Sequence, residues 1–121
     1  MITRLVVCGG RDFADEAVLA AALDRFLAEH EAVEFVTGHA PGADALAEKY
    51  ASEHGIPNKI IPADWQQYGR SAGPIRNRQM LDYAAEAEPA VLAFWDGKSR
   101  GTRHTIETAK TMGIAVDVVR Y

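Results

Sequence analysis

Short apolar runs alternate along the chain with stretches in which leucines and alanines recur at three- and four-residue spacing. The runs are rich in Val, Ile or Phe and mostly bounded by Gly or Pro. They predict strands over Thr3 to Cys8, Val33 to Thr37, Asn58 to Ile61, Ala90 to Trp95 and Ala115 to Arg120. The helical spacing predicts helices over Asp15 to His30, Gly42 to His54, Pro74 to Ala87 and Thr102 to Met112. Gly55 and Gly113 stand where helix C-caps are expected, and Pro57 follows the first of them. Pro62 to Ala72 reads as an irregular connection holding Trp65 and Tyr68.

This alternation predicts an α/β fold: a three-layer, Rossmann-like open parallel sheet of about five strands with helices on both faces. The 121 residues suffice for one domain, residues 1–121, around a single core. In such sheets the ligand crevice lies beyond the carboxyl ends of the strands, where strand order reverses. With the expected order 3-2-1-4-5, that point falls between the first and fourth strands. The loops leaving those strands are Gly9-Gly10-Arg11-Asp12 and Asp96-Gly97-Lys98-Ser99-Arg100-Gly101-Thr102, and Thr37-Gly38-His39-Ala40-Pro41-Gly42-Ala43-Asp44 follows the second strand. Tight strand-to-helix turns use glycine for structural reasons too, so it is the grouping of three such loops on one edge that carries weight.

Charge sharpens this picture. The formal net charge is −4, against a nonspecific nucleic-acid binder. Yet Trp65 to Leu81 holds three arginines and no acid, and Gly97 to Ile106 one lysine, two arginines and no acid. Both segments contain an expected helix start, where cations are disfavoured by about 0.3–1 kcal/mol each unless an anion lies between them. Glycine, free N–H groups and arginine together are an arrangement that binds phosphate. The alternative is that these are solvated surface arginines.

Other chemistries find little support. No G-x-G-x-x-G follows the first strand, no Gly-Lys-Ser/Thr ends a Walker motif, and no Gly-x-Ser-x-Gly elbow is present. Cys8, the single cysteine, lies in an apolar run and reads as a small core residue, and His30, His39, His54 and His104 show no metal-ligand spacing. We expect no metal and no cofactor. No apolar stretch is long enough to span a bilayer and the N-terminus lacks a signal-peptide pattern, so the expectation is a soluble, cytoplasmic protein without membrane contact.

Asp12, Asp44 and Asp96 each fall in or beside a crevice loop, where a carboxylate holds ribose hydroxyls or acts as a general base. Each also has a structural explanation: Asp12 pairing with Arg11, Asp44 at a helix start, Asp96 ending its strand. Trp65 and Tyr68 either stack on a base or cover the sheet's lower edge.

Gly9-Gly10-Arg11-Asp12-Phe13, Gly38 with Gly42-Ala43-Asp44, Pro62-Ala63-Asp64-Trp65, the Gly73-x-x-Arg76-Asn77-x-x-Met80 stretch and Ser99-Arg100-Gly101-Thr102 occur in order over nearly the whole chain. Together they resemble the YspA/YpsA-related branch of the SLOG superfamily. That superfamily also contains the Lonely Guy phosphoribohydrolases, which release a cytokinin base from its ribose monophosphate, and the DprA-type DNA-processing proteins. The resemblance implies a Rossmann-like sheet with a pocket for a nucleotide or nucleotide-derived ligand. It also implies a homodimer, for which the apolar face of the first helix (Val18, Leu19, Leu23, Phe26, Leu27) is the candidate surface.

Against the Lonely Guy pattern, Arg76 and Met80 match the Arg-Lys-x-x-Met stretch that holds the catalytic arginine, and Gly101-Thr102 matches the phosphate loop. The glutamate of that loop is replaced by Thr105. Glu107, two residues on at about 100° per residue, points about 200° away. The expected ligand-binding residues are therefore Gly9, Gly10, Arg11, Asp12, Gly38, Gly42, Asp44, Arg76, Asn77, Gly97, Ser99, Arg100, Gly101 and Thr102. Arginine 100, Gly101 and Thr102 surround the phosphate, Arg76 bridges it, and the first two loops take the ribose. The expected function is binding of a phosphate-bearing nucleotide or nucleotide derivative in a sensor or carrier role. The alternative is a nucleoside monophosphate N-glycosidase with Arg76 catalytic and its carboxylate partner among Asp12, Asp44 and Asp96. DNA binding is disfavoured by the acidic balance.

Overall fold

The computed structural model describes all of residues 1–121. Five parallel strands, β1 (Thr3–Gly9), β2 (Val33–Thr37), β3 (Asn58–Ile60), β4 (Glu88–Trp95) and β5 (Ala115–Arg120), form one sheet in the order β3-β2-β1-β4-β5. The helices are α1 (Glu16–Ala28), α2 (Ala43–His54), a single turn α3 (Trp65–Tyr68), α4 (Ala72–Ala85) and α5 (Arg100–Thr111). This is the Rossmann-like architecture expected from the hydrophobic pattern.

Because β1 lies at the centre with helices on both faces, Leu5, Val6 and Val7 are all fully buried, and the strand reads as a continuous apolar run. Leu5 and Val7 pack with Phe35, Leu92 and Phe94 against α1 and α2, through Leu19, Leu23, Ala47, Tyr50 and Ala51. Val6 and Cys8 pack with Val36, Val91 and Ala93 against α4 and α5, through Met80, Leu81, Ala84, Ile106 and Ala109. Two apolar layers thus cover the two faces of the sheet.

Element ends depart from the sequence reading where side chains cap the backbone. Asp15 lies outside α1 because its carboxylate accepts the Val18 N–H at 3.1 Å. Ser99 caps α5, so that helix begins at Arg100, two residues earlier than expected. The connection expected to be irregular is mostly helical: Asp64 caps α3 by accepting the Gln67 N–H, and a 3₁₀ turn over Gly69–Ser71 leads straight into α4. Helix α4 therefore begins at Ala72, and Arg76 is its fifth residue, past the first turn where it was expected. The argument from a cation at a helix start holds for Arg100 and fails for Arg76. At its other end α4 stops at Ala85, since Glu88 already joins the sheet by donating to the Ile2 carbonyl.

Candidate functional site

Where the strand order reverses, beyond the carboxyl ends of β1 and β4, a cavity of about 390 Å³ opens between the β1 and β2 loops, α3, α4 and the start of α5. Its floor includes Cys8, Gly9, Asp44 and Met80, and its walls include Arg11, Trp65, Arg76, Asn77 and the run from Ser99 to Thr102. A smaller cavity of about 180 Å³ adjoins it and shares Arg11, Ala40, Trp65 and Arg76 with it.

Arg76 is the pivot of this wall. Its Nη1 donates to the Gly38 carbonyl at 2.7 Å and its Nε to Asn77 Oδ1 at 3.1 Å. Asn77 in turn donates through Nδ2 to the Gly101 carbonyl at 3.3 Å and lies 3.3 Å from His104 Nδ1. One chain of polar contacts thus links the β2 loop, α4 and α5, and it fixes the guanidinium while leaving donors for a ligand. A side chain at position 38 would collide with Arg76 Nη1, so glycine is required there for the arginine to reach the backbone.

Asp44 lies beside Arg76, only 5 % exposed, with Oδ2 accepting from the N–H groups of Gly38 at 3.1 Å and Ala40 at 3.3 Å. No ion pair within 4.0 Å joins it to Arg76. Burial pushes its pKa up to about 6, against the lowering effect of the two backbone donors and of Arg76. Burial likewise lowers the Arg76 pKa, opposed by Asp44, though a guanidinium stays charged in proteins. Cys8 beneath them is held as the neutral thiol, chiefly by burial, and fits its reading as a core residue.

The start of α5 forms the opposite wall. Asp96 Oδ1 accepts the N–H groups of Lys98 and Ser99, both at 2.8 Å, and these two bonds hold its pKa below the ordinary value. Its carboxylate is thereby committed to shaping the loop, and it does not line the cavity. Thr102 N–H reaches only weakly to Ser99 Oγ at 3.5 Å, and a Cβ built on Gly101 would meet nothing within 4 Å. No protein packing therefore demands glycine at 101, and the open space lies at the first turn of a helix, where anions are favoured.

The remaining expected residues divide. Gly9, Arg11, Ser99, Arg100, Gly101 and Thr102 line the main cavity, and Gly38 lines the smaller one. Gly10, Asp12, Gly42 and Gly97 stand behind the walls. Gly42 takes a φ of +81° and packs so closely on Gly10 and Arg11 that a side chain has no room. Asp12 does not pair with Arg11; it accepts from the Tyr121 hydroxyl at 2.6 Å. Of the three candidate acids, only Asp44 reaches the cavity. Trp65 lines both cavities and is 52 % exposed, whereas Tyr68 lines neither.

Cys8, Ala40, Pro74, His104 and Thr105 belong to the wall without having been singled out as ligand residues. His104 was legible in principle, being three residues after Gly101 and so on the same helical face. Glu107 points away and lies 3.7 Å from Arg103. The α1 face turns inward: Leu19 and Leu23 are buried, Phe26 and Leu27 pack against the core, and Val18 is exposed. No three His, Cys, Asp or Glu side chains are grouped to hold a metal ion, and no helix is long and apolar enough to cross a membrane.

The model of the YspA, cpYpsA-related SLOG family matches residues 3–68, from β1 through α3, which includes the first two crevice loops. The chain is also similar to the Gene 61 protein of Mycobacterium phage D29, 32 % identical over 119 residues that cover 93 % of each chain. No solved structure matches it. With more than half of the sequence under the family model and a relative 32 % identical over 93 % of each chain, the chain belongs to the YspA, cpYpsA-related SLOG family.

Proposed function

We propose that this protein binds a phosphate-bearing nucleotide or nucleotide derivative at the carboxyl edge of its sheet, in a sensor or carrier role. The observation that carries the reading is Arg76, held by Gly38 and Asn77 without a carboxylate partner, across one cavity from the start of α5. A phosphate there meets the Arg76 guanidinium, Arg100 and the first-turn N–H groups of α5 together, and Trp65 offers a face for a base. The loops after β1 and β2 take the ribose, with Asp44 as acceptor for a hydroxyl. Nucleoside monophosphates are expected to raise the melting temperature of the wild type but not of Arg76→Ala. Equal shifts in both would remove Arg76 from the site.

One observation favours a second reading, an N-glycosidase. Asp44 is a buried carboxyl whose pKa of about 6 suits proton transfer near neutral pH, and it lies in the cavity beside Arg76. Thr105, at the position of the phosphoribohydrolase glutamate, is buried and supplies no carboxylate. Chromatography of nucleoside monophosphates incubated with the protein separates the two: binding without release of free base supports the sensor, and release that depends on Arg76 and Asp44 supports the enzyme.

A further inference from the structure

The smaller cavity has cationic and ionisable groups on its wall and no acid. Arg11 reaches it from the β1 loop, Arg76 from α4 and His39 from the β2 loop, with Trp65 and Pro62 as apolar surface. His39 is the only residue besides glycine with a positive φ, at 59°. Such strain persists where surroundings over-determine it, and it clusters at functional sites. Here the surroundings are specific. His39 Nδ1 lies 2.8 Å from Glu48 Oε1, and Glu48 Oε2 accepts from the Thr37 hydroxyl at 2.8 Å. Thr37 itself accepts from Asn58 Nδ2 at 3.1 Å. The carboxylate is 15 % exposed and the imidazole 66 %, so a sheltered acid orients an accessible ring and leaves Nε2 as the nitrogen free for a ligand.

The charged groups around His39 come from four elements. Arg11 and Arg76 stand in the shared wall without ion pairs, and their mutual repulsion is one of the causes that lower the Arg76 pKa. On α2, Glu48 is the partner of His39, and Asp44 lies beneath Gly38 and Ala40. Asp64, before α3, is committed to its helix cap. Two adjacent unpaired arginines and an oriented histidine are better explained by an anion between them than by packing.

We propose that the smaller cavity is a second anion subsite and that the ligand carries a diphosphate, one phosphate at the start of α5 and the other against Arg11, Arg76 and His39. The inference rests on the nucleotide-binding reading above. His39 is the third side chain facing that phosphate, its ring fixed through Nδ1 by Glu48. Asp44 lies in the main cavity, where it bears on monophosphate and diphosphate alike, so the ratio of the two affinities reports the second subsite.

The test is titration calorimetry with AMP against ADP, and with inorganic phosphate against inorganic diphosphate as base-free probes, all at one neutral pH. The proteins are wild type, His39→Asn, whose side chain tolerates the left-handed backbone, and Arg11→Gln. Wild type is expected to prefer the diphosphate compound by about tenfold or more. His39→Asn and Arg11→Gln should each lower that preference. Monophosphate binding with no diphosphate preference, or with a preference that His39→Asn leaves intact, overturns the second subsite and leaves the nucleotide reading standing. No binding of any nucleotide or inorganic anion overturns both.

Discussion

The two ends of the sheet treat arginine in opposite ways. At the amino edge, Arg4 is fully engaged: Nε lies 3.0 Å from Glu34, Nη1 donates to the Tyr83 carbonyl at 2.7 Å, and the guanidinium stacks 3.8 Å from the Tyr83 ring centroid. Tyr83 hydroxyl closes the set by donating to Glu34 at 2.8 Å. At the carboxyl edge, Arg76 is held by neutral groups only, beside a carboxyl that burial keeps half-protonated near pH 6, while Arg11 and Arg100 pair with nothing. An arginine used for structure finds its countercharge in the protein. One held by a carbonyl and an amide is positioned without being neutralised, and that is the state a phosphate site requires.

The largest expected effect breaks this comparison at its centre. Ligand at about 100 times its dissociation constant stabilises a fold by about 2.7 kcal/mol, and Arg76→Ala should abolish that gain in thermal melts. Arg4→Ala should do the reverse, lowering unliganded stability by about 1–3 kcal/mol by leaving Glu34 without its charged partner, while keeping the ligand-induced shift. If both variants lose only stability, the two ends are alike and the site is not where we place it.

Asp44 sharpens the contrast through pH. Below about pH 4 folded and unfolded chains both hold its proton, and between about 4 and 6 only the folded chain does, so its burial makes stability fall as pH rises through that window and stay flat above it. The raised pKa corresponds to a cost of up to about 3 kcal/mol at neutral pH. Asp44→Asn can still accept from Gly38 and Ala40, so it should be more stable than wild type at pH 7 by part of that amount and equal to it at acid pH, as denaturant melts across pH would read. The same variant should bind phosphate more tightly in a sensor, and lose base release in an enzyme.

The smallest effect concerns the loop that carries Arg11. Tyr121 follows β5, donates to Asp12 and packs edge-on against Phe13 with ring centroids 4.9 Å apart, bracketing Arg11 from one side. Loss of one hydrogen bond in Tyr121→Phe costs about 1 kcal/mol. Ligand affinity is expected to fall a few-fold in the variant, and not at all once Arg11 has been replaced. An effect that persists without Arg11 would assign Tyr121 a purely structural role.

Most of the fold was legible because buried parallel strands and amphipathic helices write their periods directly into the chain. β2 and β5 fall where the apolar runs predict them, and the loops that close on the cavity are the glycine-rich ones. The ends were less legible. Asp64 caps a helical turn that no period reports, a 3₁₀ turn carries it straight into α4, and Arg76 lies past the first turn of α4 as a result. The acids show the same limit. Asp12, Asp44 and Asp96 look equivalent in sequence, each in or beside the loop that leaves a strand, with glycine nearby.

What the sequence determined by itself is the α/β class, the order of the strands and main helices, the edge of the sheet that carries the cavity and the concentration of arginine there, since these follow from local composition and period. Tertiary structure decided which groups share a cavity and which are already satisfied. Asp96 was taken by its own loop and Asp12 by a tyrosine 109 residues away, while Asp44 was left beside Arg76, and His39 was set against Glu48. Such assignments depend on which hydrogen-bond partners the packed chain brings within about 3 Å. That distance is a property of the assembled layers and appears nowhere in the spacing of residues along the chain.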